Sequence, residues 1–304
     1  MNYIILDMEW DSAYHPASKQ FINQILQIGA VKLNDSFDIV DTFEATIRSS
    51  FSKRVTKRFT ELTGITKDMM LAGVPLSDAV IRYNKWIGDN TITMTWSNSD
   101  LYTILSNEKL LLKGIKFKIE KYLDLQKFIQ GEMRLLGHEC KSQISLGNAA
   151  ELLGVTTEGY DLHTAKDDSL VCAGLLKKFY NKQRFEALIR DTSNPEFYRR
   201  LCFKPYYISD INDKAIDKGQ LNFSCEKCGN GMRRTSKWRY HNRNFTAEFH
   251  CDICHKKFIG RISFRKTYDD VVVKKYIREP KPKIKEAEKN DMQSLPENVL
   301  GGTQ

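Results

Sequence analysis

Four cysteines in two Cys-x2-Cys pairs, CEKC at 225–228 and CDIC at 251–254, constrain the folding of this chain more than any other pattern in it. Each pair has the spacing at which two thiolates meet one metal ion. The 22 residues between the pairs form a gap slightly longer than is usual for a zinc ribbon, and suit a hairpin-like excursion that brings the second pair back to the first. Cys225, Cys228, Cys251 and Cys254 are therefore expected to hold one Zn²⁺ in a tetrahedral, four-sulfur site. Such a site has no open position for substrate, so the ion is structural. About sixty residues with few aliphatics also need a metal to fold. The alternatives are two disulfides or idle thiols. His241, His250 and His255 compete as ligands, whereas Cys140, Cys172 and Cys202 stand singly and read as structural.

The charge distribution sets this stretch apart. Residues 1–218 hold 29 Lys+Arg against 28 Asp+Glu, and the last 26 residues hold 4 against 5, while residues 219–278 hold 14 against 5. The whole excess behind the net charge of +9 sits in the cysteine module. Positive charge concentrated on a small module marks a nucleic-acid footprint, with a solvated surface as the plainer reading. Between the knuckles Arg233, Arg234, Lys237, Arg239 and Arg243 are interleaved with Trp238, Tyr240 and Phe245. Basic side chains hold phosphates and aromatic rings stack on unpaired bases. Some of those rings must instead build the module's core. With 41% hydrophobic residues, no apolar run of about 18 residues and no basic leader, the chain is expected to be a cytoplasmic protein without a membrane span.

Upstream of the cysteines the pattern alternates. Residues 3–9, 25–33 and 37–47 read as strands in antiparallel succession. Residues 77–86 have helical spacing, 91–96 alternate as a strand, 100–112 follow as a helix, and 123–129 (LDLQKFI) read as a fifth strand. Helices are expected over 145–155 and 163–180. Antiparallel strands followed by strand–helix alternation predict an α/β domain with a mixed sheet. The expected organisation is a domain over 1–182, a helical connector over 183–218, the basic four-cysteine module over 219–278 and a disordered polar tail over 279–304.

The candidate chemistry begins with IILDMEW, in which Asp7 and Glu9 close an apolar strand. Residues i and i+2 of a strand share a face, so two carboxylates stand side by side. Sites of open α/β sheets gather at the carboxyl ends of strands, and the strand at 91–96 leads directly to Asp100. An N-cap is the competing role for that residue. In HTAKDDSLVCAGLLKKFY, Asp168 falls on the apolar stripe of Ala165, Cys172, Leu175, Leu176 and Phe179, while Asp167 points away. A buried-face acid is costly unless it is paired or binds a metal. His163 is expected in the turn before that helix, free to swing over the site. Asp7, Glu9, Asp100 and Asp168 supply hard oxygen ligands suited to two Mg²⁺ or Mn²⁺ ions, and His163 supplies a base.

The order Asp-x-Glu, a later Asp after a strand, then His-x4-Asp resembles the DEDDh exonucleases of the DnaQ-like, ribonuclease H-related superfamily. Asp7 and Glu9 match its first motif, Asp100 its second, and His163 and Asp168 its third. LQIGAVKL, ELTGIT and SLGNAAELLGV look like the family's landmarks, and the resemblance covers roughly residues 1–182. It implies a five-stranded mixed sheet flanked by helices, and 3′→5′ removal of nucleoside 5′-monophosphates. TWSNSD at 95–100 looks more like the exoribonuclease, KapD-like branch than the proofreading branch, although many relatives carry Gly where Ser97 stands. Single-stranded RNA is therefore the favoured substrate. Met8 and Trp96, neighbours of the acids, either contact the terminal nucleotide or pack in the core. The competing functions are a single-stranded DNA exonuclease of repair or proofreading, and a non-catalytic nucleic-acid-binding adaptor.

Overall fold

A computed structural model of the protein describes residues 2–140 and 142–280. The chain divides into two units, 1–202 and 203–304. The expected tail over 279–304 lies, from residue 281 onward, outside the described residues.

The first unit is an α/β sandwich around one mixed sheet. Its elements are β1 (Asn2–His15), β2 (Gln20–Leu33), β3 (Ile39–Arg48), α1 (Lys57–Thr63), α2 (Lys67–Ala72), β4 (Val74–Pro75), α3 (Leu76–Ile87), β5 (Thr91–Thr95) and α4 (Ser99–Leu110). They are followed by β6 (Lys121–Asp124), α5 (Leu125–Leu135), α6 (Leu146–Leu152), α7 (Ala165–Phe179), α8 (Lys182–Leu188), β7 (Arg190–Asp191) and α9 (Pro195–Cys202). The strand order is β4-β3-β2-β1-β5-β6-β7. β1, β2, β3 and β5, at the places of four expected strands, and β6, which shares only residues 123 and 124 with the fifth, form the body of this mixed sheet, and the two-residue strands β4 and β7 extend its edges.

β1 lies at the centre, antiparallel to β2 and parallel to β5. Ile4, Ile5 and Leu6 are fully buried because a central strand has helices on both faces. Ile5 joins Met94, Leu123, Phe128, Leu175 and Leu176 in one core layer. Ile4 and Leu6 join Ile28, Phe43, Tyr83, Leu101 and Ile104 in the other. The segment expected to be a strand over 123–129 is mostly helix: β6 ends at Asp124, whose side chain caps α5 by accepting from the Lys127 N–H at 3.0 Å. The apolar run was the inward stripe of an amphipathic helix. Among the described residues, no helix is long and apolar enough to cross a membrane.

The second unit contains β8 (Tyr206–Tyr207), β9 (Arg233–Arg234), β10 (Arg239–His241), β11 (Asn244–Cys251), β12 (Lys256–Lys266) and β13 (Val271–Arg278). Strands β10-β11-β12-β13 pair in that order, β9 adds to β11 and β8 adds to β12. One face of this sheet packs Phe245, Ala247, Phe249, Ile262 and Phe264 with Ile208, Ile216 and Phe223.

Candidate active site and metal centre

The carboxylates of Asp7, Glu9 and Asp168 converge, with one oxygen from each lying within 4.8 Å of the others. β1 delivers the first two from one face of the strand, and its register with β2 shifts between Glu9 and Trp10. A bulge at that position turns the strand immediately after the second acid. Asp168 comes from the first turn of α7, and the reason it reaches the sheet is found on β2. Gly29 is paired with Asp7 across the ladder, and a Cβ there would lie 2.2 Å from the backbone of Ala165 and Lys166. Only glycine lets the helix start so close to the sheet. Gln27, opposite Glu9, fixes the approach by accepting from the Ala165 N–H at 3.1 Å. Ser169 Oγ adds a bond to the Gly29 carbonyl at 3.4 Å.

Asp100 sits in the first turn of α4, not at its N-cap, which is Asn98. It is 3% exposed, and its Oδ1 has no hydrogen-bond partner among the described residues. The Met8 backbone N–H reaches its carboxylate. The turn that presents Asp100 is strained: Ser97 has φ 132°, a conformation that favours glycine. Tyr122 Oη holds that turn through the Ser97 carbonyl at 3.1 Å and Asn98 Oδ1 at 3.0 Å.

Electrostatics at the site are repulsive. Burial, with Asp100, Asp168 and Glu9 alongside, holds the Asp7 carboxyl well above the usual carboxylate range. Burial and the charges of Asp168 and Asp100 push Glu9 up to about 8. Asp100 is raised to about 7, mainly by burial, and Asp168 is raised by burial against the opposing pull of the His163 N–H. Four acids that resist ionising together are a poor structural network and a good cation cage. The unpartnered Oδ1 of buried Asp100 and the converging oxygens fit hard divalent cations.

His163 lies exposed in the turn before α7 with φ 77°, and its backbone N–H donates to Asp168 Oδ1 at 3.3 Å. Its imidazole makes no hydrogen bond among the described residues. Asp167 is half-buried and accepts from the Asp161 N–H at 2.8 Å, so it is less of a surface acid than its helical position suggested. Met8 is 2% exposed within the core, on the opposite side of β1 from the acids. Trp96 is half-buried, with its indole N–H donating to the Ile144 carbonyl at 3.2 Å. Met8 is thus packed in the core, whereas Trp96 keeps part of its surface exposed. Gln27 and Gly29 carried no weight in the sequence reading, although a glycine amid eight strand residues was a legible signal of close approach.

In the second unit, Sγ atoms of Cys225, Cys228, Cys251 and Cys254 lie within 4.8 Å of one another, and all four cysteines are free. The first knuckle turns at Gly229, φ 73°, whose N–H donates to the Cys225 carbonyl at 2.9 Å. In the second, the Cys254 N–H donates to Cys251 Sγ at 3.4 Å. The Asn230 backbone draws Cys228 down to about 6, while the hydrogen bond with Cys228 and burial push Cys254 up to about 12. His241, His250 and His255 stand outside the cluster. Of the basic and aromatic residues between the knuckles, Arg233 pairs with Asp252 at 3.3 Å and Arg234 covers the half-buried Trp238 at 5.7 Å. Trp238 itself packs on Phe223 and Phe249. Lys237, Arg239, Tyr240 and Arg243 are exposed.

A comparison with curated proteins returns no match. Among solved structures, the nuclease domain of 3′hExo, a DEDDh family member bound to rAMP, superposes with a TM-score of 0.50 at 21% identity, over 58% of this chain and 90% of that one. A 3′-exonuclease solved for its 3′-end specific recognition of histone mRNA stem-loop gives 0.51 at 21% identity, over 62% and 84%. Cell-death related nuclease 4 gives 0.49 at 21%, over 58% of this chain, which spans 62% of that nuclease. The first two likenesses, at 0.50 and 0.51, establish a shared fold. The exonuclease family model (RNase_T) matches residues 15–176, which include Asp100, His163 and Asp168 and begin just after Asp7 and Glu9. With more than half of its length matched, the chain belongs to the exonuclease family.

Proposed function

We propose that the protein is a metal-dependent 3′→5′ exonuclease that releases nucleoside 5′-monophosphates from single-stranded ends, RNA before DNA. The observation that supports this most is the convergence of the Asp7, Glu9 and Asp168 carboxylates beside the unpartnered, buried Asp100. Asp7, Glu9, Asp100 and Asp168 would hold two Mg²⁺ or Mn²⁺ ions, which when bound supply Lewis-acid stabilisation of the scissile phosphate. His163 takes a proton from the attacking water, from an exposed turn where its ring is uncommitted. The water oxygen bonds to phosphorus and the bond to the 3′ oxygen breaks. The polymer is thereby left one nucleotide shorter with a free 3′ hydroxyl.

RNA is favoured by the resemblance of the Thr95–Asp100 turn to the exoribonuclease branch, and by a fold shared with a 3′-exonuclease that recognises histone mRNA stem-loop. The four-cysteine unit holds a structural Zn²⁺ and contributes grip on the polymer. The test is to give 5′-labelled RNA and DNA strands to the protein with Mg²⁺ or Mn²⁺. A ladder shortening from the 3′ end, faster on RNA, is expected. It should vanish with EDTA and fall at least a thousandfold in Asp7→Ala. Intact polymers in every lane would overturn the reading.

A further inference from the structure

The residues between the cysteine knuckles are where composition puts the nucleic-acid grip, yet several of them are already engaged. Arg233 is paired to Asp252, Arg234 lies on Trp238, and Trp238 serves the core. Among the described residues Lys237 and Arg239 are exposed without an ion pair, and further uncommitted charge lies on the other face of the sheet. Strand alternation sends Phe245, Ile262 and Phe264 inward, so their neighbours point outward. There Arg261 pairs across the ladder with Tyr276, Ser263 with Lys274 and Ile259 with Arg278. Together with Tyr207 and Arg243 they line a groove of about 710 Å³ whose lining contains no carboxylate.

We propose that this groove is a binding site for single-stranded nucleic acid, separate from the carboxylate centre. The inference rests on the exonuclease reading for the choice of polymer and adds the surface that holds it. Lys274, Tyr276 and Arg278 alternate along one face of β13, spaced roughly 6.8 Å apart. The row reads cation, ring, cation. Tyr276 is 59% exposed, a ring free to stack on a base. Arg261 stands beside it on β12, and across the groove the Arg243 guanidinium lies 5.3 Å over the Tyr207 ring. Among the described residues none of the four cations forms an ion pair, whereas Lys227 and Lys256 on the knuckles share Glu279. Unpaired cations with an exposed ring between them suit a backbone whose bases are unpaired; a duplex offers phosphates but hides its base faces.

The test uses the full chain carrying Asp7→Asn, so that strands survive, with fluorescence anisotropy on labelled 20-nucleotide rU and dT strands between 50 and 200 mM salt. Arg261→Ala/Arg278→Ala is expected to lose at least tenfold in affinity and to lower the salt slope by about 1.4, the loss of two phosphate contacts. Tyr276→Ala should lose about fivefold or more with an unchanged slope, as stacking requires. Lys227→Ala/Lys256→Ala removes the same charge from the same unit and should change affinity less than twofold. Retained zinc and an unaltered melting temperature show that each variant is folded. Unchanged affinity in both groove variants, or an equal loss in the knuckle variant, overturns the site. Equal affinity for a duplex of the same length overturns the single-strand assignment, and failure of the parent chain to bind either polymer leaves the groove to a protein partner and overturns the proposal. If native Asp7 protein degrades no strand, the exonuclease reading falls while the anisotropy still decides the groove.

Discussion

Gly29 and Asp100 show two ways in which one residue sets the site. At Gly29 the backbone of Ala165 and Lys166 leaves no room for a Cβ. Gly29→Ala should therefore push the start of α7 off the sheet, destabilise the protein by about 1–3 kcal/mol and displace Asp168. A fall in melting temperature together with loss of nucleotide release would report it; a variant with wild-type rates would show that the contact yields. Asp100 and Glu9, raised to about 7 and about 8, bind their protons more tightly folded than unfolded. Their contribution to stability is therefore full below the ordinary carboxylate range and is lost as pH rises towards 7–8. Without Mg²⁺ or Mn²⁺ the first unit should melt several degrees lower at pH 8.5 than at pH 5.5. Adding millimolar Mg²⁺ should restore more at the higher pH, because cations compete with protons for the same oxygens. Tryptophan fluorescence can follow this, since Trp10, Trp86 and Trp96 lie in that unit and Trp238 in the other. The acids were legible in the sequence because carboxylates on apolar faces break a strong rule. Gln27 was not, because its bond to Ala165 spans 138 residues and leaves no local trace.

Among the elements, the turn between β5 and α4 carries strain that its sequence does not relieve. Ser97→Gly should remove the cost of φ 132°, raising stability by about 1 kcal/mol even after losing the bond to the Ser99 N–H. Differential scanning calorimetry measures this, with exonuclease rates expected to stay close to those of the unsubstituted protein. A lower melting temperature would mean that the serine bonds outweigh the strain. Strand ends were the least legible parts of the fold. β1 and β2 continue six residues and five residues beyond the expected limits, to His15 and back to Gln20, because polar residues there still pair across the hairpin. Their side chains carry no apolar alternation to signal it. LDLQKFI hid a boundary because Asp124 ends a strand and caps a helix at once.

Across the whole molecule, the acidic centre and the cysteine cluster lie in different units, each with its own core. A zinc-selective chelator in excess Mg²⁺ should therefore unfold the cysteine unit alone. Binding of long strands should weaken while release of nucleotides from short oligonucleotides persists; loss of both together would show that the units depend on each other. The charge balance and the cysteine spacing set the cysteine module apart in the sequence, while the boundary after residue 202 falls inside the expected connector. The docking of α7 against Gly29 has a further consequence, in time as well as in space. Asp7 and Glu9 are made some 160 residues ahead of Ala165 and Asp168. A nascent chain can pair β1 with β2 early, through local contacts, and yet lacks the Asp168 carboxylate until α7 has emerged and settled on the sheet. On the proposed function, a partly synthesised chain would be held inert by the order of its own translation.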